Sequence, residues 1–213
     1  MTIKGAEKID RCPWVDLTKD DYIGYHDREW GVPVHDDRLI FEFLILEAAQ
    51  AGLSWYTVLR KRENYRSAFG AFEPQKVARF GKRQLESLLN NSGIIRNRAK
   101  ILASINNAKR FLAVQEEFGS FDQYIWRFVD GKPIVHKFKR LTDYVATSAE
   151  SDALSRDLKL RGFQFVGSTV CYAHMQATGM VNDHVVTCFR RKQIINGYGG
   201  SEMKIDKPRR PSN

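Results

Sequence analysis

Residues 82–112, KRQLESLLNNSGIIRNRAKILASINNAKRFL, constrain this chain more than any other stretch. Two segments with helical spacing of apolar residues flank Ser-Gly-Ile-Ile, a link too short for anything but a tight turn between helices. The pattern has the form of a helix-hairpin-helix. Gly93, with Ile94 beside it at the tip, supplies the backbone freedom that such a turn asks for. Amides at the start of the second helix attract anions, and Arg96, Arg98 and Lys100 add positive charge. The hairpin therefore has the means to hold a phosphate backbone without reading base identity. An αα-hairpin with a plain basic solvent face would show the same pattern.

Helical period continues through most of the chain, with Gly, Pro and Asn as punctuation and no series of alternating strands. The fold is expected to be all-α. The spacing predicts helices at about 36–51, 55–61, 64–69, 74–78, 82–91, 98–118, 121–128, 148–161 and 168–179. Residues 130–146 break the period and read as a connection between lobes. Residues 1–10 read as an N-terminal extension and 11–188 as the folded domain. The basic, Gly- and Pro-punctuated residues 189–213 read as a flexible tail.

Within the helix predicted at 36–51, the stretch EAAQAGLSW places a carboxylate just before a Gly-Leu-Ser-Trp turn. Helical spacing sets Glu47 in line with Ile40, Phe43 and Leu44, and turns Glu42 toward the side that reaches water. Glu47 is expected to be buried. Such a carboxylate must be hydrogen-bonded, protonated, or matched to a cationic ligand.

HVVTC sets His184 and Cys188 four apart, on one face if the stretch is helical, as a zinc pair would require. Two more ligands must come from elsewhere. Cys171 and His174 form a local pair, favoured by the lower entropy of a short loop; Cys12 and His26 form a remote one. Spacing does not choose between them.

Lys and Arg number 34 against 25 Asp and Glu, a net charge of +9 that favours a polyanionic partner such as DNA. Three scattered cysteines cannot build a disulfide framework and fit a reducing compartment. No apolar run is long enough to span a bilayer, and MTIKGAEKIDRCPW lacks the apolar core of a secretory signal. The chain is expected to be cytoplasmic, with no membrane partner.

RCPWV, YHDREWGVP, LEAAQAGLSW, KRENYR, SGIIRNRAKI, RGFQFVGSTVCY and NDHVVTC, in this order, resemble the 3-methyladenine DNA glycosylase I family over about residues 11–188. The resemblance implies a helix-hairpin-helix glycosylase fold of two helical lobes, with a structural zinc joining the N- and C-terminal ends through Cys12, His26, His184 and Cys188. It implies a base pocket containing Glu47 and Trp55, with Tyr25, Tyr22 and Trp30 completing the aromatic wall. An alkylated adenine is cationic, so aromatic faces attract it and an ionised Glu47 accepts a hydrogen bond from it. Gly52 and Leu53 are expected to probe the gap that the flipped nucleotide leaves in a double-stranded DNA, and the protein to act as a monomer.

Most helix-hairpin-helix glycosylases carry a catalytic Asp downstream of the hairpin. Here Glu116, Glu117 and Asp122 read as solvated-face or helix-start residues. Asn97 occupies the position where lyase-active relatives place a Lys, which argues against a Schiff base. Expected chemistry is hydrolytic release of 3-methyladenine with Glu47 as the catalytic carboxylate, leaving an abasic site. A glycosylase for another damaged base, or a zinc-stabilised DNA-binding module without catalysis, would share the charge and the hairpin. The Glu47 pocket separates the first reading from the binding module, and a neutral lesion would need stronger acid catalysis than the sequence offers.

Overall fold

The computed structural model describes residues 9–197 and the backbone of 204–205. Among the described residues helix dominates: α1 (Asp20–Arg28), α2 (Asp37–Gln50), α3 (Trp55–Leu59), α4 (Arg62–Ala68), α5 (Pro74–Val77) and α6 (Lys82–Asn90) precede α7 (Arg98–Phe118), α8 (Phe121–Trp126), α9 (Ala149–Leu160), α10 (Ser168–Ala177) and α11 (Phe189–Gly197). No helix among them is long and apolar enough to cross a membrane.

Helix α2 is the axle of the molecule, packed against α3, α7, α8 and α10. Asp36 starts it by accepting the Leu39 amide at 2.9 Å. Every residue from Ile40 to Ala49 is buried, so it is a helix enclosed on all sides rather than an amphipathic one. Ile40, Phe41 and Leu46 have no exposure; burying each contributes roughly 1.5 to 3 kcal/mol. This enclosure overturns the expected position of Glu42. It is fully buried, because α4 lays Arg62 and Arg66 against it, with Arg62 Nε at 2.5 Å and Arg66 Nη2 at 2.9 Å.

The α6–turn–α7 hairpin lies where the sequence predicts it. Asn97 caps α7 by accepting the Lys100 amide at 3.1 Å, and Gly119, at φ +85°, ends it. The turn is strapped to α4: Lys61 Nζ donates to Ser92 O at 3.0 Å, and the Ile95 amide donates to the Tyr65 hydroxyl at 3.1 Å. Gly93 is needed for a reason other than the one expected. Its φ is not positive; instead a Cβ there would stand 3.0 Å from the Asn64 side chain, so glycine permits close approach.

Residues 130–146 hold more structure than a connection. β1 (Ile134–Val135) pairs in parallel with β2 (Val181–Asn182), in the register Ile134↔Val181, and with β3 (Lys204–Ile205) on its other edge. Strands of two residues carry no readable period. The segment expected as a tail begins with α11, which buries Ile194, and adds β3; the rest of 198–213, like 1–8, lies outside the described residues.

Candidate active site

Five aromatic residues from four places converge on Glu47. α1 presents Tyr22 and Tyr25 three apart on one face, Trp30 follows in the turn after α1, Trp14 comes from the N-terminal loop, and Trp55 opens α3. Trp14 and Trp30 meet edge to face with centroids at 4.8 Å, and Tyr25 tilts against Trp55 at 5.2 Å. Together with Glu47 they line a cavity of about 300 Å³, closed on the other side by Tyr144, Val145 and Gln176. That volume suits one planar heterocycle.

Glu47 is 4% exposed, and its Oε2 meets no hydrogen-bond partner among the described residues. Burial alone pushes its carboxyl up to about 8. Burial and the neighbouring Glu47 also raise the Tyr25 phenol well above its ordinary range. The indole N–H groups of Trp14 and Trp55 are buried and meet no acceptor among the described residues. The cavity lining thus includes a carboxylate and two indoles that each carry a polar atom without a partner among the described residues, inside an aromatic wall. This is the pattern of a ligand site for a flat, polar and preferably cationic molecule.

The turn that follows α2 carries Gly52, at φ +80° with open space around it, and Leu53, 42% exposed. Ser54 then caps α3 by accepting the Thr57 amide at 3.2 Å, which fixes Trp55 at the cavity. Lys100 departs from its expected role. It is 9% exposed, and its ammonium donates to Ala49 O at 2.8 Å and Ala51 O at 2.6 Å, capping the C-terminal end of α2. Ile94 at the hairpin tip is 3% exposed and packs in the core, so its side chain does not face outward. Arg96 and Arg98 do stand exposed beside the start of α7, and no ion pair within the described residues engages them.

Cys12, His26, His184 and Cys188 come together in the interior, their ligand atoms all within 4.8 Å of one another. Cys12 Sγ and Cys188 Sγ each lie 3.3 Å from His184 Nδ1, and Cys188 Sγ lies 3.5 Å from His26 Nε2. The outer ring nitrogens are occupied: His26 Nδ1 pairs with Asp27 at 2.7 Å, itself held by Arg11, and His184 Nε2 donates to Trp30 O at 2.9 Å. Cys171 and His174 stay apart from this cluster, buried in α10; burial pushes the Cys171 thiol up to about 12 and lowers the His174 imidazole to about 4.

Trp14, Gln50, Tyr144 and Gln176 line the cavity without having been singled out as site residues in the sequence. Tyr144 sits in the aperiodic segment after β1. Gln176 had no signal to set it apart, since α10, STVCYAHMQA, also carries Thr169, Tyr172 and His174.

The Methyladenine glycosylase family model matches residues 14–191, which span the aromatic wall, Glu47 and three of the four clustered Cys and His residues. The chain belongs to the methyladenine glycosylase family. It is similar to the DNA-3-methyladenine glycosylase 1 of Escherichia coli K12, with 49% identity over 181 residues, 84% of this chain and 96% of that one. A crystal structure of a 3-methyladenine DNA glycosylase I superposes with a TM-score of 0.82 at 50% identity, covering 84% of this chain and 98% of the other. A variant of a 3-methyladenine DNA glycosylase I, solved in complex with 3-methyladenine, superposes with a TM-score of 0.79 at 34% identity over 81% of this chain and 93% of its own. Likeness at this level, over nearly the whole of each relative, fixes the family fold around the cavity.

Proposed function

We propose that this chain is a DNA repair glycosylase that takes 3-methyladenine out of the duplex into the Glu47 cavity and hydrolyses its N-glycosidic bond. The observation that carries the reading is a buried, unpartnered carboxylate inside an aromatic cage of a family whose members are 3-methyladenine glycosylases. In the empty cavity Glu47 favours its proton, since burial pushes it up to about 8. A cationic base beside it favours the charged form, so capture of the lesion releases that proton and forms an ion pair away from water. Tyr25, Trp30 and Trp55 surround the positive ring by cation–π attraction. A neutral purine gains neither term. Positive charge already makes the alkylated base a good leaving group, so water completes the hydrolysis and an abasic site remains.

The duplex is held by the α6–α7 turn, read here as a helix-hairpin-helix, with Arg96 and Arg98 on phosphates and the Gly52–Leu53 turn at the vacated base position. A monomer suffices, as one chain carries both surfaces. Free thiols at Cys12, Cys171 and Cys188 fit a cytoplasmic protein.

The Cys12, His26, His184 and Cys188 set fits zinc: two sulfurs and two imidazoles within 4.8 Å of one another, three of their sulfur–nitrogen pairs at 3.3 to 3.5 Å, close to the roughly 3.3 to 3.8 Å between ligands around tetrahedral zinc. Asp27 and the Trp30 carbonyl fix both imidazoles so that the remaining nitrogen of each faces the cluster. A bound zinc would have four protein ligands and supply a structural tie rather than an activated water. Because His26 follows Tyr25 and His184 donates to Trp30, the same side chains brace the aromatic wall.

Incubating the protein with methylated duplex DNA and identifying released bases by chromatography tests the reading. Free 3-methyladenine is expected; methylated DNA bound without release of any base would leave only a binding module.

A further inference from the structure

The side-chain amide of Gln176 is turned by a neighbour. Asp183 is 1% exposed and collects three contacts: His136 Nδ1 at 2.5 Å on one oxygen, the Tyr172 hydroxyl at 2.7 Å and Gln176 Nε2 at 2.8 Å on the other. A carboxylate only accepts, so the Gln176 NH2 group must face Asp183 and its carbonyl oxygen must face away. Gln176 lines the Glu47 cavity, and no donor among the described residues meets that oxygen. The backbone is fixed as well, since Gln176 O accepts the Gly31 amide at 3.0 Å. Rotating the amide would set its carbonyl oxygen against Asp183, two acceptors face to face in the interior, at a cost of an unmade hydrogen bond on each.

We propose that Gln176 is a specificity-determining residue whose Oε1 accepts a hydrogen bond from the six-amino group of the base. This rests on the glycosylase reading and adds what charge alone cannot supply. Both 3-methyladenine and 3-methylguanine are cationic in DNA, so Glu47 and the aromatic cage attract them alike. At position six adenine carries a donor and guanine a carbonyl oxygen. A fixed acceptor rewards the first and repels the second. Asp183, through the orientation of the amide, is a positioning residue for this readout.

The test is single-turnover release of 3-methyladenine and 3-methylguanine from one preparation of methylated duplex DNA, by the wild type, Gln176→Met and Tyr172→Phe. The Met variant is expected to lose about tenfold in 3-methyladenine release while 3-methylguanine release holds or rises, so that the ratio of the two collapses. Tyr172→Phe removes a donor from Asp183 without touching the cavity acceptor, and is expected to keep the wild-type ratio. Losses of equal factor for both bases in Gln176→Met, or no loss in either, would overturn the proposal. The wild type also provides a measurement that needs no variant: it should bind free 3-methyladenine about tenfold more tightly than 3-methylpurine, which lacks the amine, and equal binding would overturn the proposal too. Release of 3-methyladenine by the wild type supports the glycosylase reading separately, so a failed ratio test falls on Gln176 alone.

Discussion

Glu42 and Glu47 stand five residues apart on α2, both buried, yet among the described residues only Glu42 meets a cation, Arg62 at 2.5 Å and Arg66 at 2.9 Å. Leaving a second buried carboxylate unpaired is costly, and a fold that tolerates it keeps a place for an outside cation.

That cost is measurable without DNA. Glu47 is raised from 4.5 to about 8, so the folded state binds its proton more tightly than the unfolded one. Its contribution to stability is therefore fully present below about pH 4.5 and is lost as pH rises toward 8. Glu47→Gln has no such proton to lose. Urea unfolding from about pH 5 to 9 should show the variant gaining on the wild type by on the order of 3 kcal/mol, then levelling. A constant difference across that range would mean that Glu47 titrates as a solvated carboxylate.

Zinc should bind at about one per chain. Substituting Cys12 or His26 is expected to abolish stoichiometric metal and lower the melting temperature, whereas Cys171→Ser and His174→Gln should retain it, as measured by elemental analysis of purified protein. Metal loss with the second pair alone would move the site to α10.

Lys100 and the hairpin arginines should behave differently in one salt titration. Lys100→Met removes the cap from α2, lowering stability by about 1 to 3 kcal/mol while leaving the salt dependence of DNA binding unchanged.

Arg96→Ala and Arg98→Ala should leave stability intact, weaken binding to every duplex sequence alike, and reduce the logarithmic salt slope by roughly one each. A Lys100→Met slope that fell in the same way would return Lys100 to the phosphates.

Elements with many turns and local caps were readable in the sequence. Asp36 starts α2 and Asn97 starts α7, each by accepting an amide three residues on, and both helices repeat an apolar pattern long enough to detect. α1 escaped notice because DDYIGYHDR is short and mostly polar, with a stripe of only Tyr22, Tyr25 and His26; the aromatic wall and the Cys and His cluster hold it. Partners from distant elements decided the rest. Arg62 and Arg66 bury Glu42, two carbonyls of the α2 end bury Lys100, and Asp183 orients Gln176. Spacing along one helix shows which side a residue takes, but not what waits there.

Charge on the base is expected to select the substrate through Glu47. Single-turnover release of 3-methyladenine and hypoxanthine from matched duplexes, by the wild type, Glu47→Gln and Glu47→Ala, measures it most directly. The wild type should release 3-methyladenine far faster than neutral hypoxanthine. Glu47→Gln should lose about tenfold or more and Glu47→Ala up to about a thousandfold, since a charge-assisted contact is worth about 1.5 to 3 kcal/mol and the buried site adds to it. Efficient hypoxanthine release by the wild type, or a fully active Glu47→Ala, would contradict it.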